Sequence, residues 1–219
     1  MRLQLLLFCT LSLLAAPAIQ AQPAADSLHR ATPVPTTALA TFATGRNRLD
    51  QRGLAVLGSW AAGNLLVSSI SVGQTDGSAH YFHQMNIGWG AVNLVLAGTG
   101  YLAARRATGQ PATDRAGNVR AQLRTENLYL FNAGLDVAYL ATGLYLLEKS
   151  RNPTASGSSD RWRGYGQSLL LQGGFLLLFD GFQYSRHHRH GRELYPLLSR
   201  VSLGAGTVAL TLPLGGTWR

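Results

Sequence analysis

Residues 84–104 read QMNIGWGAVNLVLAGTGYLAA, a stretch without a single charged side chain. A helix needs ~20 apolar residues to cross the ~30 Å hydrocarbon core of a bilayer, and this stretch has that length. Three other stretches of similar length and composition occupy residues 53–73, 127–147 and 164–184. The sequence therefore predicts a mainly α protein, a transmembrane four-helix bundle that crosses the membrane four times.

The overall composition agrees with membrane residence once its uneven distribution is considered. Of the 219 residues, 46% are hydrophobic and only 13% are charged, whereas soluble proteins typically have about 25% charged residues. The polar residues are concentrated between the apolar stretches, at residues 22–52, 105–126 and 148–163. Segregation of this kind is typical of a polytopic membrane protein.

The N-terminus has the three parts of a cleavable secretory signal in residues 1–21. Arg2 supplies the basic region, residues 3–16 form the apolar core, and the segment ends at the small residue Ala21. Cleavage there would remove Cys9, which is the only cysteine. Residues 22–52 follow, and their Ala, Pro and Thr content predicts a flexible N-terminal tether.

The four predicted spans make up a membrane domain over residues 53–185. A short Gly-containing turn at residues 75–79 joins spans 1 and 2, and the flexible segment NPTASGSSD at residues 152–160 separates spans 3 and 4. The bundle should therefore consist of two helical hairpins. Residues 186–219 begin with an exposed basic run, and alternating apolar residues around Gly204 predict a short C-terminal β-hairpin after it.

Polar side chains inside the spans are the candidate functional residues. At helical spacing, Asn86 and Asn93 share one face of span 2, and Asn132, Asp136 and Tyr139 share one face of span 3. We expect these two faces to contact each other. The predicted intramembrane seam consists of Asn64, Asn86, Asn93, Asn132, Asp136, Tyr139, Gln172 and Asp180.

The two acids in this seam are chemically the most unusual residues. An ionised carboxylate at the bilayer centre costs at least ~2.5 kcal/mol on insertion scales, so it is usually paired, protonated or facing water. For Asp136 two interpretations stay open: a structural hydrogen bond to Asn86, Asn93 or Tyr139, or a proton- or ligand-binding role. Asp180 lies near the end of span 4, where an ion pair with Arg186 is expected.

The net charge of +9 comes almost entirely from arginine. These arginines lie between the spans, which favours contact with anionic lipid headgroups and argues against nucleic acid as a partner. His80 and His83, and the His187, His188 and His190 group, lack the spacing of a metal site. No HExxH, GxSxG or paired-acid motif is present. We therefore expect no metal, no cofactor and no catalytic residues.

Four segments of the chain carry a family resemblance: FHQMNIGWGAVNLVLAG, FNAGLDVAYLATGLYL, SLLLQGGFLLLFD and RELYPLLSRVSL. They resemble a family of small, signal-bearing bacterial proteins that is described only as a domain of unknown function with four predicted spans. The resemblance covers residues 53–214. It implies an envelope membrane protein, and it transfers no activity and no site residues.

The sequence thus predicts a multi-pass protein of the bacterial inner membrane. The favoured function is a scaffold or accessory subunit, with another membrane protein or a second copy of the chain as its partner. The alternative is a small transporter or proton-coupled permeation unit that uses Asp136 and the facing asparagines. Orientation is left open, because the signal places residues 22–52 outside whereas the distribution of arginines places them inside.

Overall fold

The computed structural model describes residues 35–151, 159–194, 203–204 and 207–208. The described part of the chain consists chiefly of four long α-helices: α1 (Thr36–Ser71), α2 (Gly77–Gly109), α3 (Arg115–Ser150) and α4 (Ser159–Gly191). A short 3₁₀ helix, Arg192–Leu194, follows α4 directly. Helices of 33 to 36 residues are about 50 Å long, so they extend well beyond a bilayer core.

Helix α1 begins much earlier than the sequence suggested. Residues 36–52, which were predicted as part of a flexible tether, form its first turns, and this part of the prediction is wrong. The reason is a pair of large apolar residues one helical turn apart: Leu39 and Phe42 are buried and pack with Leu194 after α4 and Val119 of α3. Tertiary burial therefore extends the helix back to Pro35, which precedes its first turn.

The connections between the helices follow ordinary turn chemistry. Gly77 has a φ of +58°, a left-handed conformation that glycine adopts without steric cost, and it directs the chain into α2. Asp114 caps α3 by accepting a hydrogen bond from the backbone N–H of Gly117. The link between α3 and α4, residues 152–158, lies outside the described residues.

The helices form two hairpins, as predicted, and the hairpins meet through α2 and α4. The most extensive contacts are those of α1 with α2 and of α3 with α4, followed by those of α2 with α4. Helix α1 contacts α3 and α4 much less. The middle of the bundle is therefore the α2–α4 pair, with α1 and α3 packed against its outer sides.

Glycines allow these helices to approach closely. A Cβ placed on Gly143 of α3 would lie 3.0 Å from the carbonyl oxygen of Gly166 in α4, and one on Gly166 would lie 2.8 Å from that of Gly143. The two backbones are thus in direct contact at this point. Small residues serve the same purpose at helix interfaces in membranes.

Three of the helices, α1, α2 and α3, are long and apolar enough to cross a membrane. Large apolar side chains point outward along the bundle, including Leu66, Val95, Leu144 and Leu178. Helix α4 has sufficient length, but it does not meet the same criterion of composition. Leu178 of α4 points outward, but several of the buried side chains of this helix are polar. These polar side chains lower the mean hydropathy of α4. A crossing by α4 stays a prediction.

Antiparallel packing brings the arginine-bearing ends of all four helices together. The start of α1 packs beside the end of α4, where Phe42 and His190 stack with their ring centroids 4.3 Å apart. We call this the arginine-rich end; its arginines are Arg46, Arg48, Arg52, Arg105, Arg106, Arg115, Arg120, Arg124, Arg186, Arg189 and Arg192. The opposite end carries Lys149, Arg151, Arg161 and Arg163. The first and last helices therefore begin and end on the same side of the bundle.

Near the C-terminus, two-residue strands Leu203–Gly204 and Thr207–Val208 pair in antiparallel register. The rest of the expected C-terminal β-hairpin lies outside the described residues, so the hairpin stays a prediction. The same holds for the signal over residues 1–21 and for the first part of the tether, residues 22–34.

Candidate functional site

One buried face of α4 carries five polar side chains, with the apolar Leu176 between the second and the third of them. Its members are Ser168, Gln172, Asp180, Gln183 and His187, and each is buried. Spacings of three, four and eight residues place them on a single side of the helix. We call this side the α4 polar face. From Ser168 to His187 it extends about 28 Å, close to the ~30 Å thickness of a hydrocarbon core.

The first half of this face is a hydrogen-bonded group of side chains from three helices. Gln172 Nε2 donates to Asn86 Oδ1 at 2.7 Å and to Asn64 Oδ1 at 3.0 Å. Its Oε1 accepts a hydrogen bond from Trp60 Nε1 at 3.0 Å, and Ser168 Oγ donates to Asn86 Oδ1 at 2.9 Å. We call these five residues the amide cluster. It joins α1, α2 and α4 through side chains alone.

The sequence predicted three members of the amide cluster, namely Asn64, Asn86 and Gln172. It did not predict Trp60 or Ser168 as site residues. The available signal was their spacing, because Trp60 is one turn before Asn64 and Ser168 is one turn before Gln172.

A pair of buried acids lies next to the amide cluster, on the side of the arginine-rich end. Asp136 is 2% exposed and Asp180 is 4% exposed, and their carboxyl groups are hydrogen-bonded to each other. The Asn132 side chain also hydrogen-bonds to Asp180. We call Asp136 and Asp180 the acid pair. A hydrogen bond between two carboxyl groups requires a proton on one of them, since two ionised carboxylates offer only acceptors.

The expected ion pair between Asp180 and Arg186 is wrong. Positions six apart on a helix are about 120° apart around its axis, so these two side chains do not share a face. Asp180 instead faces α3, whereas the Arg186 guanidinium lies over the Phe182 ring, 5.5 Å from its centroid. The carboxyl partner of Asp180 comes from the other helix of its own hairpin.

The face-to-face arrangement expected for spans 2 and 3 is also wrong. The predicted α2 face is buried, with Asn86, Asn93 and Ala97 among its members. However, this face packs on α1 and α4, because α4 lies between α2 and α3. Asn86 is bonded to Ser168 and Gln172, and Asn93 Nδ2 has no hydrogen-bond partner among the described residues.

Tyr139 provides a ring contact between α2 and α3. Its ring meets that of Trp89 edge-on, with centroids 4.8 Å apart. Because these helices run antiparallel, Asn93, one turn after Trp89, lies at about the same level as Asp136, three residues before Tyr139. The predicted seam residues therefore occupy neighbouring layers of the bundle rather than one α2–α3 interface.

Sequence reasoning missed a third polar group, at the arginine-rich end. His187 is 0% exposed, and its Nε2 lies 3.2 Å from Asp50 Oδ1 of α1. Its ring stacks on Tyr129 of α3 at 5.4 Å, and its backbone carbonyl accepts a hydrogen bond from Gln122 Nε2 at 2.7 Å. We call Asp50, Gln122, Tyr129 and His187 the histidine cluster.

The basic run after residue 185 was expected to be exposed, and this expectation is wrong for His187 and Gly191. Residues 186–191 continue α4, and His187 and Gly191 are buried. The signal in the sequence was the spacing from Asp180 through Gln183 to His187, which continues a single helical face. The basic residues on either side of His187 made this helical spacing difficult to recognise in the sequence.

Two further histidines of the described residues, His80 and His83, contact the end of α1. His80 Nδ1 lies 2.8 Å from the carbonyl oxygen of Val72, and His83 Nδ1 lies 3.3 Å from Ser68 Oγ. Within residues 35–151 and 159–194, no group of three or more His, Cys, Asp or Glu side chains is arranged to hold a metal ion.

Comparison with known proteins identifies a family for this chain, and that family has no known function. No curated protein and no solved structure matches it. A family of unknown function, DUF6992, matches residues 56–181, a range that contains the amide cluster and the acid pair. The chain belongs to this family of unknown function, DUF6992.

Proposed function

We propose that this protein is a non-catalytic scaffold or accessory subunit of a membrane. The amide cluster carries this proposal. Its five side chains bond to one another across α1, α2 and α4, so they hold the helices in one arrangement. Interhelical hydrogen bonds of this type each contribute about 0.6 to 2 kcal/mol in membranes.

The acid pair supports the same function. Asp136 and Asp180 are buried to nearly the same extent as the apolar core residues around them, and they bond to each other. A transport site would need these carboxyl groups to reach water from at least one side. A buried carboxyl pair that shares a proton is instead suited to joining α3 with α4.

The exposed surface suggests what a scaffold would contact. Apolar side chains such as Val67, Leu94 and Phe131 cover the outside of the helices, and they can be covered equally by lipid or by another helix. We propose the bacterial inner membrane as the location. We further propose anionic headgroups and either a membrane-protein partner or a second copy of this chain as the contacts.

A second candidate function, proton-coupled permeation, is favoured by one observation. Asp50, at the arginine-rich end, is close to His187, which stacks on Tyr129. Tyr129 in turn lies within electrostatic range of both Asp50 and Asp180. Titratable groups therefore follow one another from that end of the bundle to the acid pair.

Proton flux distinguishes the two functions. We would reconstitute the protein into vesicles that contain a pH-sensitive dye, impose a potassium diffusion potential, and compare the wild type with the double variant Asp136→Asn, Asp180→Asn. Asp76→Asn is the matched control, because Asp76 is exposed and its side chain makes no capping hydrogen bond. A scaffold predicts the same slow flux for all three proteins. Flux that is at least tenfold faster in the wild type and the control than in the double variant would instead establish permeation.

A scaffold or accessory subunit should also be found in a complex with a partner. Extraction into polymer-bounded lipid discs, followed by native mass measurement, should give a species larger than the 23.5 kDa chain and a defined stoichiometry. A second copy or a different membrane protein would each account for the extra mass. Recovery of the chain only as a monomer would contradict the scaffold function.

A further inference from the structure

A groove opens at the arginine-rich end, between the first turns of α1 and the last turns of α4. Its volume is about 730 Å³. It is lined by Ala38, Thr41, Phe42, Gly45, Leu49, Arg186, Arg189, His190 and Glu193. None of these residues belongs to the amide cluster, the acid pair or the histidine cluster, so the groove is a separate feature of the molecule.

The wall of the groove on the α1 side is apolar and well defined. Phe42 is buried, and the His190 ring stacks parallel to it. Gly45 leaves the space that this ring occupies, since a Cβ at Gly45 would lie 2.8 Å from His190 Cε1. Leu49, one turn further along α1, continues the wall toward the apolar part of the bundle.

The rim on the α4 side carries two arginines and one carboxylate, an excess of positive charge. Glu193 Oε2 is 3.2 Å from His190 Nδ1, so this carboxylate contacts the histidine rather than either arginine. Arg189 Nε donates to the backbone oxygen of Ser185, and Arg186 lies over Phe182. In the described part of the chain, neither arginine forms an ion pair with a carboxylate. Two guanidinium groups one turn apart are therefore available to an anion from outside.

The groove is located where the apolar surface ends. Phe182 is 58% exposed and belongs to the outward apolar surface, whereas Arg186 is one turn further, about 6 Å along the helix. The headgroup layer of a bilayer adds roughly 5 to 7 Å beyond the hydrocarbon core on each side. If Phe182 contacts acyl chains, the two arginines are at the depth of lipid phosphates.

We propose that this groove binds the headgroup of an anionic phospholipid. The phosphate lies between Arg186 and Arg189, because guanidinium groups donate paired hydrogen bonds to phosphate oxygens. The glycerol region packs on Leu49, and the acyl chains run along the outward apolar side chains near Phe182. The apolar wall distinguishes a lipid from inorganic phosphate, which would gain nothing from it. This site goes beyond the scaffold function and does not depend on it.

The test uses the full chain in a neutral detergent with three probes: dihexanoyl phosphatidylglycerol, dihexanoyl phosphatidylcholine and inorganic phosphate. Binding is measured by native mass spectrometry and by the shift in thermal unfolding. The charge variant is Arg186→Gln with Arg189→Gln. Its matched control is Arg105→Gln with Arg106→Gln, which removes two exposed arginines from the same end of the bundle but outside the groove.

We expect the wild type to bind phosphatidylglycerol at least tenfold more tightly than either other probe. The charge variant should lose this preference, and the control should retain it. A third variant, Thr41→Trp, fills the groove at an exposed position without changing the charge, and it should weaken phosphatidylglycerol binding as well. Arg186→Lys with Arg189→Lys should restore part of the affinity lost in the charge variant.

Three results would overturn the proposal. Equal losses in the charge variant and in the Arg105, Arg106 control would mean diffuse attraction to the whole arginine-rich end. Phosphate binding as tight as that of phosphatidylglycerol would mean a free-anion site without a lipid requirement. Unchanged phosphatidylglycerol binding in a folded Thr41→Trp protein would show that the groove itself is not the site.

Discussion

Replacing Gln172 by leucine tests whether the amide cluster holds the bundle together. The side chain makes three hydrogen bonds, to Asn64, Asn86 and Trp60. Leucine has a similar volume and suits a membrane core, so the change removes the polar contacts without opening a large cavity. At about 0.6 kcal/mol for an average interhelical hydrogen bond, the loss should be about 2 kcal/mol of unfolding free energy.

The matched variant is Ser168→Ala, which removes one hydrogen bond, that to Asn86 Oδ1. It should cost about 0.6 kcal/mol, roughly a third of the effect at Gln172. Unfolding free energies are measured by titration from a mild detergent into sodium dodecyl sulfate, monitored by tryptophan fluorescence, to which Trp60 contributes. The reasoning would be refuted if Gln172→Leu were as stable as the wild type or less destabilised than Ser168→Ala.

Four further predictions follow from the fold. Asp136→Asn should leave the unfolding free energy nearly unchanged, because an amide can still donate a hydrogen bond to Asp180. Asp136→Leu should lower the unfolding free energy by about 1 to 3 kcal/mol, because it leaves Asp180 without this partner. Equal stabilities of the two variants in the same detergent titration would contradict this prediction. Gly166→Leu should lower the thermal midpoint by several degrees more than Gly174→Leu, because of these two glycines only Gly166 touches a neighbouring helix backbone and would be overpacked. Equal midpoints would be inconsistent with the α3–α4 contact. Alkaline carbonate should leave the protein in the membrane fraction, and release into the soluble fraction would disprove integral insertion. Topology reporters fused at Thr44 and at Arg219 should give the same signal, and opposite signals would mean that the number of crossings is odd and one of the four spans has been miscounted.

The sequence predicted which helix faces are buried but not which helices they contact. The face with Asn86 and Asn93 is inside, as helical periodicity indicated. Its neighbours depend on the order of helices around the bundle, and periodicity contains no information about that order. The assumption that spans 2 and 3 face each other failed because α4 inserts between them.

The boundaries of the helices were predicted less well than their existence, for an identifiable reason. Hydropathy identifies the part of a helix that contacts lipid, and it ends where the surface becomes polar. Leu39 and Phe42 of α1 pack against protein rather than lipid, and His187 of α4 is buried among polar partners. Such contacts depend on tertiary structure, so a composition window cannot detect them.

If α4 crosses the membrane, its polar face also constrains the biosynthesis of this chain. A nascent helix that leaves the insertion machinery alone must expose Gln172, Asp180 and Gln183 to lipid, where no donor or acceptor meets them. The amides of Asn64 and Asn86 from α1 and α2 are already in place by then, and α3 brings Asp136. Of the four helices, α4 is synthesised after the other three, and its buried polar side chains bond to residues of all of them. Its entry into the bilayer should therefore be a step of assembly on a three-helix template rather than an independent insertion.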